Sequence, residues 1–230
     1  MNKITGIKAI SFDADGTLWD FEKVMQQSLS HVLKELGEIE PRVAAMLNID
    51  KMIEIRNRVA EELKGRITNL EAIRLEAFRQ TLTEIGRPDD TLASHLNEVY
   101  LKHRFEDIEL FDDVLPTLNE LQGKYTLGLL SNGNSYPERC GLECIFQFVV
   151  FSQDYGVEKP DPEFFQIALK EAGCSKEQLL NVGDSLNNDV IGATDAGIKC
   201  VWLNRKRINI PNDVQVKYEI HSLSELLKIL

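Results

Sequence analysis

The chain has 230 residues, 43% of them hydrophobic and 27% charged. That is the make-up of a globular protein long enough for one large α/β domain or for a domain carrying a smaller insert. Its 26 Lys and Arg stand against 37 Asp and Glu, a formal net charge of −11, which argues against a nucleic-acid polymer or an anionic membrane as partner. Small anionic ligands stay open, because a local cation outweighs distant charge at short range.

No apolar run approaches the ~20 residues needed to span a bilayer. The opening MNKITGIKAISFDAD has no signal-peptide h-region or cleavage site. The expected compartment is the cytoplasm, and the expected state a monomer or homodimer. Cys140, Cys144, Cys174 and Cys200 form no CxxC pair, so free, mostly buried thiols are expected rather than a zinc site.

In chain order, residues 7–13 are rich in Ile and Phe and read as a strand. Residues 22–105 then carry helical periodicity, as in Met25, Leu29, Val32 and Leu36. Gly37, Pro41, Gly65, Gly86 and Pro88 divide this block into about four expected helices. From about residue 109 short apolar runs alternate with helical ones. A helix over 113–122, a strand over 125–130, a strand over 148–151 and a helix over 161–172 come first. A strand over 179–182, a helix over 186–196 and a strand over 200–203 follow. This alternation predicts βαβ units and a parallel sheet covered on both faces. The expected organisation is an α/β core of residues 1–16 and 109–230, interrupted by a helical domain over 17–108. Both ends of the insert should then lie close together.

Each core strand is followed by a polar group. The first ends in Asp13 and Asp15, and the second in Ser131, Asn132 and Gly133. Lys159 follows the third, and Asp184 follows the fourth with Asp189 close behind. In an open α/β sheet the carboxyl ends of the strands line the ligand crevice, so four sequence-distant groups should converge. Asp13, Asp15 and Asp184 would supply hard oxygen ligands suited to Mg²⁺. Lys159 would pair with a nucleophile or a phosphate. Ser131 would offer a hydroxyl, and its neighbours backbone N–H groups. This inventory suits phosphoryl transfer.

Taken alone, Asp-x-Asp-Gly-Thr could be a turn, Ser131 a strand end and Asp189 a helix cap. Asn132 and Thr17 could serve the site or a turn. Trp19 and Phe21 read as packing or hinge residues. The four histidines read as scattered surface or helix positions. Lys51, Arg56, Arg58, Lys64, Arg66 and Arg74 read as a mostly solvated face. An EF-hand starting at Asp13 fails, since its sixth and twelfth positions are Leu18 and Val24. Neither GxxxxGK[ST] nor GxGxxG is present.

FDADGTL, LLSNG, the lysine of EKPDPEFF and GDSLNND resemble the four motifs of the haloacid dehalogenase superfamily, over the whole chain. The resemblance implies a Rossmann-like parallel core, an inserted C1-type α-helical cap and Mg²⁺. It implies Asp13 as the nucleophile that forms an aspartyl-phosphate, and Asp15 as the general acid and base. Ser131 and Lys159 would hold the transferring group, with Asn132, Gly133 and Thr17 as further phosphate-binding positions. Asp13, Asp184 and the backbone carbonyl of Asp15 would ligate the metal, with Asp189 as a ligand or a support. The dehalogenase branch lacks an acid at the position of Asp15, so the chain looks like a phosphatase acting on a small phosphorylated metabolite. A sugar-phosphate mutase also keeps that acid, and a non-catalytic binding protein on the same scaffold is the alternative of another class. Residues 131–162 are similar to the same part of bacterial phosphatases acting on flavin mononucleotide, ribitylaminouracil phosphate and nucleoside monophosphates.

Overall fold

The computed structural model describes residues 3–212 and 214–230. The chain divides into two compact units, one of residues Met1–Asp20 with Glu109–Leu230, the other Phe21–Ile108.

The first unit is built on a six-stranded sheet, all of whose pairings are parallel. Its strands are β1 (Ala9–Phe12), β2 (Thr126–Ser131), β3 (Phe148–Phe151), β4 (Leu179–Gly183), β5 (Lys199–Leu203) and β6 (Glu219–Ile220), in the spatial order β3-β2-β1-β4-β5-β6. This is the α/β, Rossmann-like parallel arrangement expected. Strands β1, β4 and the body of β2 are buried throughout, which explains why they read as continuous apolar runs rather than alternating ones. From β1 the chain winds outward through β2 and β3, then returns to β4 on the other side of β1. The switch point lies between β1 and β4, where Phe12 is in register with Val182. Asp13 extends the pairing, its N–H donating to the Val182 carbonyl at 2.8 Å. One face of the sheet packs Phe164, Phe165 and Ala168 of a helix over Pro162–Ala172 against Leu130, Val150 and Leu179. A two-residue strand such as β6 is too short to leave a periodic signal, and it was absent from the expected elements.

The expected helix over 186–196 begins instead as a π-helical turn, Leu186–Ile191, and continues as one α-helical turn, Gly192–Asp195. The Val190 N–H reaches back five residues to the Ser185 carbonyl, and the Ser185 side chain accepts from the Asn188 N–H. Such wide turns recur at functional sites. Here the turn carries Asp189 inward, where it is fully buried.

The second unit is helical throughout. It comprises α1 (Phe21–Ile39), α2 (Pro41–Ala44), α3 (Ile49–Leu63), α4 (Leu70–Glu84) and α5 (Asp90–Glu106). Gly37 does not break α1. Its cost of about 1 kcal/mol in a helix interior is outweighed by the buried stripe Met25, Leu29, Val32 and Leu36 that precedes it. Pro41 instead opens the short α2, so this unit has five helices where about four were expected. Asn48, Asn69 and Asp89 cap α3, α4 and α5, each side chain accepting a backbone N–H in the first turn. Arg74 is not part of a solvated face. It is buried, with its guanidinium 5.7 Å from the Tyr100 ring. Cys144 is exposed while Cys140 and Cys200 are buried, and among the described residues none of the four cysteines forms a disulfide. Among the described residues no helix is long and apolar enough to cross a membrane.

Candidate active site

Asp13 stands one residue past β1, Ser131 ends β2 and Asp184 follows β4, so three strand ends bring their polar groups to the switch point. Lys159 arrives by another route. It lies eight residues beyond β3, after a helical turn over Ser152–Tyr155, and the Asn132 side chain fixes it. The Asn132 amide donates to the Lys159 carbonyl and accepts from the Lys159 N–H, both at 2.8 Å. The side chain expected at the phosphate therefore uses both ends of its amide to hold the lysine backbone.

The Lys159 ammonium is buried at the centre. It donates to Asp13 Oδ1 at 2.6 Å, to Asp189 Oδ1 at 2.6 Å and to the Leu130 carbonyl at 3.0 Å. Asp189 Oδ2 accepts from the Ser185 N–H at 3.0 Å, so both of its oxygens are engaged. Asp13, Asp184 and Asp189 place one carboxylate oxygen each within 4.8 Å of the others. Burial pushes the Asp13 carboxyl well above the ordinary range, opposed by Lys159 and reinforced by Asp189 and Asp184. Burial likewise pushes Asp184 up to about 6, with Asp189 adding to the effect. For Lys159 burial works against the charge, yet Asp13 and Asp189 outweigh it and the net shift is upward. Three carboxylates facing one ammonium leave negative charge uncompensated. A hard divalent cation fits that deficit and that all-oxygen donor set.

Asp15 is held by a residue read as packing. Trp19 is fully buried and its indole N–H donates to Asp15 Oδ1 at 2.7 Å. The other carboxylate oxygen, Oδ2, lies where a side chain at Gly133 would begin, 2.7 Å from an added Cβ. The Gly133 N–H in turn donates to Ser131 Oγ at 2.9 Å. Gly16 has φ +90, and a Cβ there would fall 2.3 Å from Asp184 Oδ2. Glycine at 16 and 133 is thus what lets Asp184 and Asp15 approach the backbone. Thr17 is fully buried, and its hydroxyl makes only a long 3.5 Å contact with Asp184 Oδ1.

Two residues that sequence reasoning passed over tie down this loop. Arg205, just past β5, donates to the Thr17 carbonyl at 3.0 and 3.3 Å and to both oxygens of Asp113 at 2.8 and 3.0 Å. Trp19 bridges Leu110, and the Phe111 N–H donates to the Leu18 carbonyl at 3.0 Å. The two segments that lead into and out of the helical insert are therefore hydrogen-bonded side by side. The pattern DGTLWD followed by a distant LF pair held no periodic signal for this; the indole N–H of Trp19, a donor that seeks a partner when buried, was the available clue.

The parallel sheet, its switch point and the carboxylate–lysine centre define a Rossmann-like α/β protein with an acidic centre at the carboxyl ends of its strands. The chain belongs to the haloacid dehalogenase-like hydrolases, whose family model matches residues 7–197. It is 27% identical to the pyrimidine 5'-nucleotidase YjjG of Escherichia coli, over 96% of each chain. It is 28% identical to the glyceraldehyde 3-phosphate phosphatase of Methanopyrus kandleri, over 97% of each. Among solved structures it resembles a 2-haloacid dehalogenase from Pseudomonas syringae with a TM-score of 0.83, at 32% identity over 97% of both chains.

Proposed function

We propose that the protein is a Mg²⁺-dependent phosphomonoester hydrolase of small phosphorylated metabolites, working through an aspartyl-phosphate on Asp13. The observation that carries this reading is Asp15, a carboxyl group held by Trp19 beside the Asp13–Lys159 centre. An alcohol leaving from phosphorus needs a proton, and a halide leaving from carbon does not. The two curated relatives act on phosphate esters by name, and both support the reading.

In the first half-reaction a carboxylate oxygen of Asp13 forms a bond to phosphorus while the ester P–O bond breaks. The proton of Asp15 passes to the leaving alcohol. In the second half, Asp15 takes a proton from water as the water oxygen bonds to phosphorus. The Asp13–phosphorus bond breaks, inorganic phosphate leaves and the Asp13 carboxylate is restored. Lys159 holds Asp13 and balances charge on the transferring group, and Ser131 donates its hydroxyl to a phosphoryl oxygen. Asp13, Asp184 and the Asp15 carbonyl would hold Mg²⁺, which when bound neutralises phosphoryl charge. Asp189, with both oxygens engaged, supports Lys159 rather than the metal. Asn132 and Thr17 act through Lys159 and Asp184, and Gly133 leaves room for Asp15. The helical insert is assigned the choice of leaving group, and the cytoplasm remains the proposed compartment.

The 32% identity to a named 2-haloacid dehalogenase favours a second reading, hydrolysis of a carbon–halogen bond at the same aspartate. One assay separates the two. Phosphate release is measured across nucleoside monophosphates, sugar phosphates, flavin mononucleotide and phosphoglycolate, with Mg²⁺ and with chelator, and halide release from 2-haloacids is measured beside it. Mg²⁺-dependent phosphate release with no halide is expected. Halide release without phosphate would overturn the proposal, and an isomerised sugar phosphate would point to the mutase.

Asp15→Asn tests the acid directly. Phosphate release from alkyl phosphates is expected to fall by about 10²–10⁴. Release from p-nitrophenyl phosphate, whose leaving group needs little protonation, should fall far less in its first half-reaction. An equal loss of burst rate on both substrates would remove Asp15 from that role.

A further inference from the structure

The helical unit contains a cluster that the scattered positions of its residues conceal. His31 lies on α1, His103 lies in the last turn of α5, and Asp107 follows one turn later as the C-cap of α5. The two helices run antiparallel here, since His31 meets His103 while Glu35 meets His95. The imidazole rings of His31 and His103 stack with centroids 3.6 Å apart and planes within 4°. Asp107 Oδ2 is 2.8 Å from His103 Nδ1 and 3.8 Å from His31 Nε2. One ligand atom from each residue lies within 4.8 Å of the other two.

We propose that His31, His103 and Asp107 form a binding site for a divalent transition-metal ion of the Zn²⁺ type, distinct from the acidic centre of the α/β unit. Two imidazole nitrogens and one carboxylate oxygen are the borderline-soft donor set that zinc prefers over magnesium. Zinc bonds to such ligands are about 2.0–2.2 Å, so a tetrahedral site separates its ligand atoms by roughly 3.3–3.6 Å. The two separations from Asp107 bracket that span. Stacked rings keep their nitrogen lone pairs in parallel planes, and a bound ion requires them to converge. The side chains of His31 and Asp107 are 45% and 37% exposed and that of His103 is 22% exposed, so the His31 ring can tilt toward the other two without disturbing the core, and an ion can enter from solvent. Water would complete the coordination. The neighbouring His95–Glu35 pair on the same seam, at 2.6 Å, has no third ligand beside it among the described residues.

An ion held here joins α1 to α5. It binds the folded helical unit and not the separated helices, so it raises the unit's stability by mass action. The site needs neither the proposed phosphatase activity nor the Mg²⁺ centre, and its test reads metal binding alone.

Tag-free, metal-stripped full-length protein is titrated with Zn²⁺ by calorimetry in millimolar Mg²⁺, which occupies hard-oxygen sites. The wild type, His31→Gln, His103→Gln and Asp184→Asn are compared, with helix content checked by circular dichroism. Wild type and Asp184→Asn are expected to bind one Zn²⁺ with the same affinity and to melt at a higher temperature when it is present. Each histidine variant should bind at least about tenfold more weakly and lose the melting shift. Unchanged affinity in His31→Gln would overturn the proposal, as would the absence of Zn²⁺ binding by the wild type or its loss in Asp184→Asn. His31 is exposed, so its variant retains the fold and decides the matter even where His103→Gln does not.

Discussion

Asp13→Asn is expected to leave a folded protein that binds phosphate esters and releases no phosphate, a loss on the order of 10⁴-fold or more. The amide keeps the shape of the carboxyl group and removes the nucleophilic charge. No second carboxylate occupies the same place, because Asp189 has both oxygens engaged by Lys159 and the Ser185 N–H, and Asp15 is turned to the Trp19 indole. Intact-mass analysis after rapid acid quench should show a phosphoryl adduct on the wild type and none on the variant. Phosphate release within tenfold of wild type would sink the covalent mechanism.

Stability distinguishes this outcome from simple misfolding. Burial raises the Asp13 pKa above its unfolded value despite Lys159. A carboxyl shifted in that direction contributes stability below its unfolded pKa, and the contribution is lost as pH rises through the folded pKa. At neutral pH, where the unfolded carboxyl is ionised, burying Asp13 is therefore a cost to the metal-free protein. Asparagine relieves it, so metal-free Asp13→Asn should unfold at a temperature no lower than wild type at about pH 7.5. A lower one would mean that pairing with Lys159 outweighs the burial of Asp13.

Much of this centre was legible in the sequence because the sheet makes it so. A parallel strand that is buried on both faces shows as an apolar run, and the first polar residue after it marks the strand's carboxyl end. Asp13, Ser131 and Asp184 could be placed by that rule alone. Lys159 could be named from its motif, but its arrival depends on the Asn132 amide, a contact across 27 positions that no local pattern announces. Trp19 illustrates the opposite failure. Its ring is core packing, as its composition suggests, while its single N–H positions Asp15. The π-helical turn at Leu186–Ile191 was hidden because apolar spacing over six residues does not separate one kind of helical turn from another. His31 and His103 were hidden because 72 positions separate them and only the α1–α5 pairing brings them together.

The same physics explains why the centre exists at all. Two buried carboxylates on one ammonium, with a half-buried third beside them, do not serve stability, since a buried ion network of similar volume can often be replaced by apolar side chains without loss. Breaking it halfway is another matter. Lys159→Met is expected to lower stability by about 3–5 kcal/mol, because it leaves Asp13 and Asp189 facing each other without a cation and the Leu130 carbonyl without its donor. Asp13 can escape only by taking up a proton, so its folded pKa, already raised by burial, rises further. By the sign already given, the stability Asp13 contributes is lost as pH rises. The difference between wild type and variant in urea unfolding should thus be small at about pH 5 and large at about pH 8. Adding Asp189→Asn removes one of the two stranded charges, and the double variant should recover about 1–3 kcal/mol at the higher pH. Lys159→Arg should not rescue the centre, since the planar guanidinium cannot occupy the pocket of a compact ammonium that is almost wholly buried. A Lys159→Met protein equally destabilised at both pH values would mean that the methionine fails by shape rather than by charge. Lys159 would then be a packing residue and not the counter-ion on which the proposed transfer to Asp13 depends.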